Sequence, residues 1–181
     1  MAIFYPQKIT TTSKTEVTFA YNNYSSMTFT NSHASSAITI DLYAASQVGT
    51  DITATDVYAA ETEAASTSSV TLTVDNGSGS ASDAANDEFL NERVYKADGN
   101  LYGICTTVTS TTVLVFSGGL ERQIRDDDIL QVGARHHFLN NVKIPNGASL
   151  KLTADEFRFD DTNYKLYIRA DVAGIDIITR Y

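Results

Sequence analysis

Alternation of apolar and polar residues is the dominant pattern along this chain, and it predicts strands. The first part contains three such stretches, 17–21, 27–30 and 38–42, with apolar residues at every second position. Successive side chains of a strand point to opposite faces, so each stretch is expected to bury one face. The breaks between them, YNNYSS and NSHASS, are rich in Asn and Ser and are typical of turns.

The same pattern returns after residue 69 and continues to the end of the chain. Strands are predicted within 70–74, 89–96, 101–108, 113–116, 129–132, 138–144, 150–152, 157–159, 164–168 and 175–177. Asp98 and Gly99 can take the positive φ angles of a tight turn, so the runs on either side of them are predicted to pair. Roughly a dozen short strands at hairpin spacing indicate antiparallel sheets packed face to face.

Three stretches lack strand periodicity. Residues 44–69 are expected to be a connection with a short helix near 57–65, and residues 121–128 could form one helical turn. The stretch from Asp75 to Asp87 is a loop by composition.

These patterns predict an all-β protein with two parts. Residues 1–46 and 133–181 are expected to form an outer antiparallel β-sandwich, jelly-roll-like and built from both chain ends. Residues 68–132 would form a small inserted β-rich domain, with 47–67 as the connection. A single larger sandwich is the alternative. The first residues, with Pro6 and no evident partner strand, are predicted to form an arm that reaches a neighbouring subunit.

Composition and charge narrow the possible partners. Only 19% of the 181 residues are charged, and the formal net charge is −9. This balance argues against nucleic acid, which requires clusters of Lys and Arg. A surface rich in Thr, Ser and Asn is typical of subunits that pack side by side. With no signal-peptide pattern and no long apolar run, we expect neither export by that route nor a membrane association.

Candidate catalytic and metal-binding residues are few. His136 and His137 are adjacent and would point to opposite faces of a strand, and His33 is distant in sequence. Two acidic runs could serve glycoside hydrolysis or hold a cation: Asp126, Asp127 and Asp128, and Asp155, Glu156, Asp160 and Asp161. Neither run has the spacing of a calcium loop and the chain lacks Trp, so we expect solvated turn charges.

The remaining motifs are equally weak. Gly77 and Gly79 are not followed by the lysine and hydroxyl of a phosphate loop, and no Gly-x-Ser-x-Gly elbow is present. Cys105, the single cysteine, lies in an apolar run and is expected to be a buried thiol. The sequence therefore predicts no catalytic, cofactor-binding or metal-binding residue.

Tyrosine is the one abundant residue type suited to contacts, because it combines a large apolar area with a polar tip. Ten are present. They are expected to divide between core and interfaces, and they include Tyr5, Tyr95, Tyr102, Tyr164, Tyr167 and Tyr181.

Two regions resemble segments of small structural proteins of tailed bacteriophages, especially contractile-tailed ones. The first is HHFLNNVKIPNGASLKL with FRFDDTNYKLYI and IDIITRY, and the second is YKADGNLYGICTTVTSTTVLVFSGGL; together they cover about half of the chain. The resemblance implies a non-enzymatic virion component, assembled in the host cytoplasm, that decorates or cements the capsid or belongs to the neck, collar or tail. Its implied partners are further copies of itself and major capsid, neck or tail proteins, with no cofactor.

Two other functions remain open at this point. A carbohydrate or receptor-binding module of a tail or fibre would show a surface cleft with aromatic side chains. A hydrolytic enzyme on a β scaffold would bring acid pairs together near a pocket.

Overall fold

The computed structural model describes residues 3–20, 24–76 and 88–181. Its strands are β1 Phe4–Ile9, β2 Thr15–Glu16, β3 Ser26–Asn31, β4 Ile38–Ser46, β5 Ile52–Ala59, β6 Val70–Asp75, β7 Glu92–Tyr95, β8 Leu101–Cys105, β9 Thr107–Ser110, β10 Val113–Phe116, β11 Ile129–Gly133, β12 Arg135–Ile144, β13 Ser149–Thr153, β14 Tyr164–Ala170 and β15 Ile175–Arg180. One short 3-10 turn, Ala154–Glu156, lies between β13 and β14. No helix in the described ranges is long and apolar enough to cross a bilayer.

The chain divides into two compact units. Unit 1 consists of residues 1–45 and 135–181, and unit 2 consists of residues 46–134. Unit 1 is thus built from both ends of the chain, and unit 2 is inserted between β4 and β12.

Unit 1 contains two four-stranded antiparallel sheets. Their strand orders are β1-β15-β3-β13, called here sheet A, and β12-β4-β14-β2, called sheet B. Along the chain the strands alternate between the sheets, except that β4 and β12 are both in sheet B and pair directly. The fold class expected from the alternation, an all-β protein with antiparallel sheets, is confirmed.

The buried faces of sheets A and B form one apolar core. In β4, Ile38, Ile40 and Leu42 are fully buried, as the alternation predicts. Sheet A contributes Phe29 from β3 and Ile177 from β15, which lie directly opposite each other in the ladder. Side chains opposite each other share a face, so this register places both residues in the core.

Unit 2 is a seven-stranded antiparallel sheet that closes on itself. Its order is β8-β7-β11-β5-β6-β10-β9. The first and last strands of this order, β8 and β9, are consecutive in the chain and are separated only by Thr106, whose N–H donates to the carbonyl of Val115 in β10 at 2.8 Å. One stretch of chain therefore pairs with β7 through its first half and with β10 through its second half, which closes the sheet. Apolar side chains such as Leu72, Phe116 and Leu130 fill the interior of the closed sheet.

The hairpin between β7 and β8 forms as the sequence predicts. The strands pair from Glu92 opposite Cys105 to Tyr95 opposite Leu101, with a shift of register between Val94 and Tyr95. Gly99 has a φ of 81°, which only glycine adopts without strain in such a turn. The strand itself is shorter than expected and begins at Glu92, after a turn in which Asn91 has a positive φ.

The prediction of an amino-terminal arm is wrong for the described residues of that segment. Phe4 to Ile9 form β1, the edge strand of sheet A, and pair with β15 from Phe4 opposite Arg180 to Ile9 opposite Ile175. Ile9 is buried in the core of unit 1. The missing partner strand is supplied by the other end of the chain, a distance in sequence at which local pattern carries no information.

Two predicted strands are also wrong. The first predicted stretch, 17–21, forms no strand at its described residues 17–20, since β2 is Thr15–Glu16 just before it, and Tyr21 lies outside the described residues. The N–H groups of Thr18 and Ala20 instead donate to side chains, Gln7 Oε1 at 3.2 Å and Tyr181 Oη at 2.7 Å. The 157–159 stretch forms no strand either, because its two phenylalanines pack in an aromatic cluster that needs no ladder.

The two predicted helical segments are extended. Residues 52–59, expected to belong to a connection that turns helical near 57–65, form β5, in which Thr55, Val57 and Ala59 are buried at every second position. In the 121–128 segment, Ile124 exchanges two backbone hydrogen bonds of 2.9 Å with Glu63, so a bridge replaces the helical turn. Small inward residues such as Ala59 hid the alternation of β5. The predicted 75–87 loop lies largely outside the described residues.

Asn31 at the end of β3 provides a test of the buried polar contacts in unit 1. Its Nδ2 donates to the carbonyls of Ser36 at 2.8 Å and Ile144 at 3.0 Å, and its Oδ1 accepts the N–H of His33 at 2.9 Å. Asn31→Ala would remove all three of these hydrogen bonds from a buried site. We expect the free energy of unfolding to fall by about 2–3 kcal/mol in urea denaturation followed by circular dichroism. Thr28→Ala, on the solvent side of β3, is the control, and an equal loss in both variants would contradict the assignment.

Candidate functional site

The histidines considered as metal ligands do not meet. His136 lies 5.4 Å from the ring of Tyr164 and His137 lies 5.2 Å from the ring of Tyr43, measured between ring centroids. His33 accepts backbone N–H groups of Ser35 and Ser36 on Nδ1 and therefore shapes a turn. Within residues 3–20, 24–76 and 88–181, no group of three His, Cys, Asp or Glu side chains is arranged to hold a metal ion.

The second acidic run caps local turns. Glu156 Oε2 accepts the backbone N–H of Thr153 at 2.6 Å and its hydroxyl at 2.8 Å, and these bonds lower the pKa of Glu156. Asp160 accepts the N–H of Thr162 and a side-chain N–H of Asn163, and its pKa is lowered for the same reason. Hydrogen bonds to a carboxylate favour its charged form, which suits neither a general acid nor a shared proton.

In the first acidic run, Asp128 differs from the solvated charge that was expected. The hydroxyl of the fully buried Tyr102 donates to its Oδ2 at 2.7 Å, and the N–H of Arg125 donates to the same atom at 2.9 Å. Burial and the carboxylate of Asp128 raise the pKa of Tyr102. Asp126 and Asp127, by contrast, are exposed, and Asp127 has a φ of 66° in the turn before β11.

The tyrosines divide between core and surface. Tyr95, Tyr102 and Tyr167 are buried, and the Nζ of Lys14 lies 4.0 Å above the ring of Tyr167 in a cation–π contact. Tyr5 is exposed on β1, and Tyr164 is half-buried. Cys105 is buried within unit 2.

A surface cleft of about 610 Å³ lies in unit 1. Its lining combines aromatic rings, hydroxyl groups and one charge of each sign, and consists of Tyr24, Ser25, Ala154, Arg158, Phe159, Asp161 and Tyr181. A volume of this size matches the usual range of small-molecule sites, about 300–1,000 Å³. The cleft can therefore accept a ligand with both apolar and polar groups.

An aromatic cluster forms the apolar side of this cleft. The ring of Tyr24 stacks on Phe19 at 4.9 Å and on Phe157 at 4.7 Å, and Phe159 lies 6.1 Å from Phe19. Two rings therefore pack against Tyr24, which itself lines the cleft. Three rings of this cluster, Phe19, Phe157 and Phe159, thus come from stretches that form no strand, while Tyr24 and Phe159 line the cleft itself.

The environment of Tyr24 keeps its hydroxyl neutral. Burial raises the pKa of Tyr24 above its ordinary value of 10.0, and the negative charge of Asp161 raises it further. A hydrogen bond from the backbone of Phe159 and the charge of Arg158 act in the opposite direction and are weaker. Tyr24 can therefore both donate and accept a hydrogen bond at neutral pH.

The solvent-facing side of sheet A carries a second feature, called here the basic strip: Phe4, Pro6, Lys8, Lys151, Ile178 and Arg180. The register places Phe4 opposite Arg180 and Pro6 opposite Ile178, so their side chains share one face. Phe4 is 59% exposed and Ile178 is 40% exposed, which is high for large apolar side chains. Among the strand residues of this face, Asp176 is the one carboxylate.

Charge is distributed unequally between the two units. Unit 1 has nine Lys and Arg against eight Asp and Glu, whereas unit 2 has four against fourteen. The formal charges are therefore +1 and −10, and the overall charge of −9 comes from the inserted unit. The acidic average of the whole chain conceals a basic face on sheet A.

Comparison of the chain with models of protein families, with curated proteins and with solved structures finds no match. The strand register and the side-chain geometry of the two units are therefore the basis for a functional assignment.

Some of these features have a partial signal in the sequence. MAIFYPQK has consecutive apolar residues that a two-period strand cannot all bury, a signal that could have indicated an exposed apolar segment but not its neighbours Ile178 and Lys151. The cleft had no signal, because its lining comes from segments more than a hundred residues apart. The unequal division of charge between the two units could have been found from the sequence, by counting charged residues within the expected domain boundaries.

Alkaline pH should test the environment of Tyr24. Its pKa is raised in the folded chain, so its contribution to the free energy of unfolding is complete below the ordinary value of 10.0 and is lost as the pH rises above it. Tyr24→Phe should make stability fall less steeply above that pH in urea denaturation at several pH values. The exposed Tyr5→Phe is the matched control. Equal slopes in wild type and Tyr24→Phe would show that the Tyr24 hydroxyl is solvated.

Proposed function

We propose that the protein is a non-enzymatic structural component of a phage virion, which decorates or cements the capsid or forms part of the neck or collar through subunit contacts. The observation that carries this proposal is the basic strip, an exposed apolar centre with cationic neighbours on the outer side of a rigid sheet. Contiguous exposed apolar side chains with a polar rim are typical of protein–protein contact sites.

The strand order supports this reading at the level of the fold. We infer that unit 1 is a jelly roll, because sheets ordered β1-β15-β3-β13 and β12-β4-β14-β2, with strands alternating between them, have the order of eight strands in two Greek keys. This architecture occurs in viral capsid proteins and in lectins. A shared architecture does not define a function, whereas the exposed surfaces of the protein determine what it can bind.

The free edge of sheet A is unsuited to pairing with a further strand, which favours a contact through the outer face of the sheet. β1 is the edge strand, and the N–H of Tyr181 donates to the carbonyl of Ile3 at 3.0 Å. Because backbone groups alternate in direction along a strand, the odd-numbered residues of β1 direct their N–H and C=O groups toward β15. The even residues, Pro6 and Lys8 among them, therefore line the free edge. Proline lacks a donor and lysine adds charge, and both discourage pairing with a further strand.

The proposal predicts self-association that depends on the basic strip. Phe4→Ser with Ile178→Thr should weaken it at least about tenfold, since burial of one such side chain contributes about 1.5–3 kcal/mol and a tenfold change is 1.4 kcal/mol. Analytical ultracentrifugation over a range of concentrations measures the effect. Ile104→Thr, which removes an equally exposed side chain from β8 in unit 2, is the control and should change nothing.

Two results would contradict the proposal. One is a wild-type chain that stays monomeric and whose peptides are missing from purified phage particles by mass spectrometry. The other is an association that survives the double substitution, since the contact would then lie elsewhere.

The cleft supports a second candidate, a carbohydrate or receptor-binding module of a tail or fibre. We propose a neutral saccharide as its ligand, because the lining pairs the guanidinium of Arg158 and the carboxylate of Asp161 with aromatic rings and hydroxyl groups. Both charged groups are exposed, and their opposite signs favour a neutral polyhydroxyl ligand over an anion. Aromatic rings pack against the apolar faces of sugars while the polar groups bond the hydroxyls.

Glycan-array binding followed by calorimetry tests the cleft. Arg158→Ala and Asp161→Asn should each lower the affinity for a retained saccharide about tenfold, because hydrogen bonds to charged groups contribute about 1.5–3 kcal/mol. Lys143→Ala, an exposed cation on β12 outside the lining, is the control. Absence of retained glycans, or equal binding by all variants, would dismiss this candidate.

A further inference from the structure

Unit 2 carries a surface whose chemistry is the reverse of the basic strip. This surface, called here the acidic strip, consists of Asp56, Tyr58, Asp126, Asp127 and Ile129. Ile129 of β11 lies opposite Tyr58 of β5, so the two side chains share a face. Thr55, Val57 and Ala59 point into the closed sheet, which places Asp56 and Tyr58 on its outside.

The acidic strip also has an apolar centre and a charged rim. Ile129 is 36% exposed, and the exposed Asp126 and Asp127 lie three and two positions before it in the chain. Asp56 is exposed two positions from Tyr58 on the same face of β5. A carboxylate rim around isoleucine and tyrosine thus matches a cationic rim around phenylalanine, proline and isoleucine.

We propose that the basic strip of one copy docks on the acidic strip of a second copy. The inference deepens the proposed function and rests on it, because it names the partner of the basic strip. Complementary charges select this pairing, since two basic strips or two acidic strips face to face would place like charges together. The formal charges of the units agree with this pairing, because the acidic strip lies in the unit of charge −10 and the basic strip lies in the unit of charge +1.

Such a contact is heterologous, because each copy uses two different surfaces. Every copy then has one free strip of each kind after binding a neighbour, and the contact repeats until a ring closes or a filament grows. Repetition around an axis is what a neck, collar or decoration layer requires. It also means that single contacts can be weak, since many of them act together.

Complementation between two variants distinguishes this arrangement from a symmetric one. The first variant, Phe4→Ser with Ile178→Thr, lacks a working basic strip. The second, Asp56→Asn with Asp127→Asn and Ile129→Thr, lacks a working acidic strip; asparagine at 127 retains tolerance for the positive φ. Thermal denaturation of both establishes that they are folded.

Sedimentation of each variant alone and of an equimolar mixture gives the readout. Wild type should form species larger than dimers, each variant alone should be monomeric, and the mixture should form a one-to-one dimer that does not grow with concentration. Wild-type association should also weaken at least about tenfold between roughly 50 and 500 mM salt, because exposed charges are screened. The Ile104→Thr variant should behave like wild type.

Other outcomes overturn specific claims. If wild type associates but the mixture of the two variants stays monomeric, the two strips do not bind each other, and the heterologous contact is wrong while the proposed function stands. The same holds if the second variant associates like wild type. If the first variant itself associates like wild type, the proposed function fails together with this inference.

Discussion

The ladder between β15 and its two neighbours is the interaction on which unit 1 depends. β15 pairs with β1 on one side and with β3 on the other, so the last strand of the chain lies inside sheet A. Without it, β1 would have no partner and Ile177 would be missing from the core opposite Phe29. These contacts join residues more than a hundred positions apart, so unit 1 is expected to complete its folding only when both chain ends have met.

The same arrangement explains why a large insertion is tolerated. Ala45 at the end of β4 lies opposite Arg135 at the start of β12, so the chain leaves unit 1 and returns to it at paired positions. Partners in an antiparallel ladder lie only about 5 Å apart, and an insertion at such a point does not disturb the sheet. Unit 2 can then satisfy its own backbone groups by closing its sheet, which leaves its outer surface available for charge.

The acidic residues of the two units differ in their structural roles. The carboxylates that hold turns, such as Glu156 and Asp160, have lowered pKa values and are occupied by backbone donors. Asp56 and Asp127 in unit 2 are exposed and stand beside apolar side chains. The first group serves the fold and the second is suited to contacts, a distinction that a count of acidic residues cannot make.

The sequence by itself determined the fold class and most of the strands, because alternation such as Ile38, Ile40 and Leu42 is enough to define a half-buried strand. It also determined the turn at Gly99, since few residues adopt a positive φ. Tertiary structure alone decided that residues 4–9 pair with β15, that β5 is a strand despite its small inward side chains, and that Phe157 and Phe159 join an aromatic cluster. Those outcomes depend on which distant backbone groups and rings meet, and local periodicity contains no information about them.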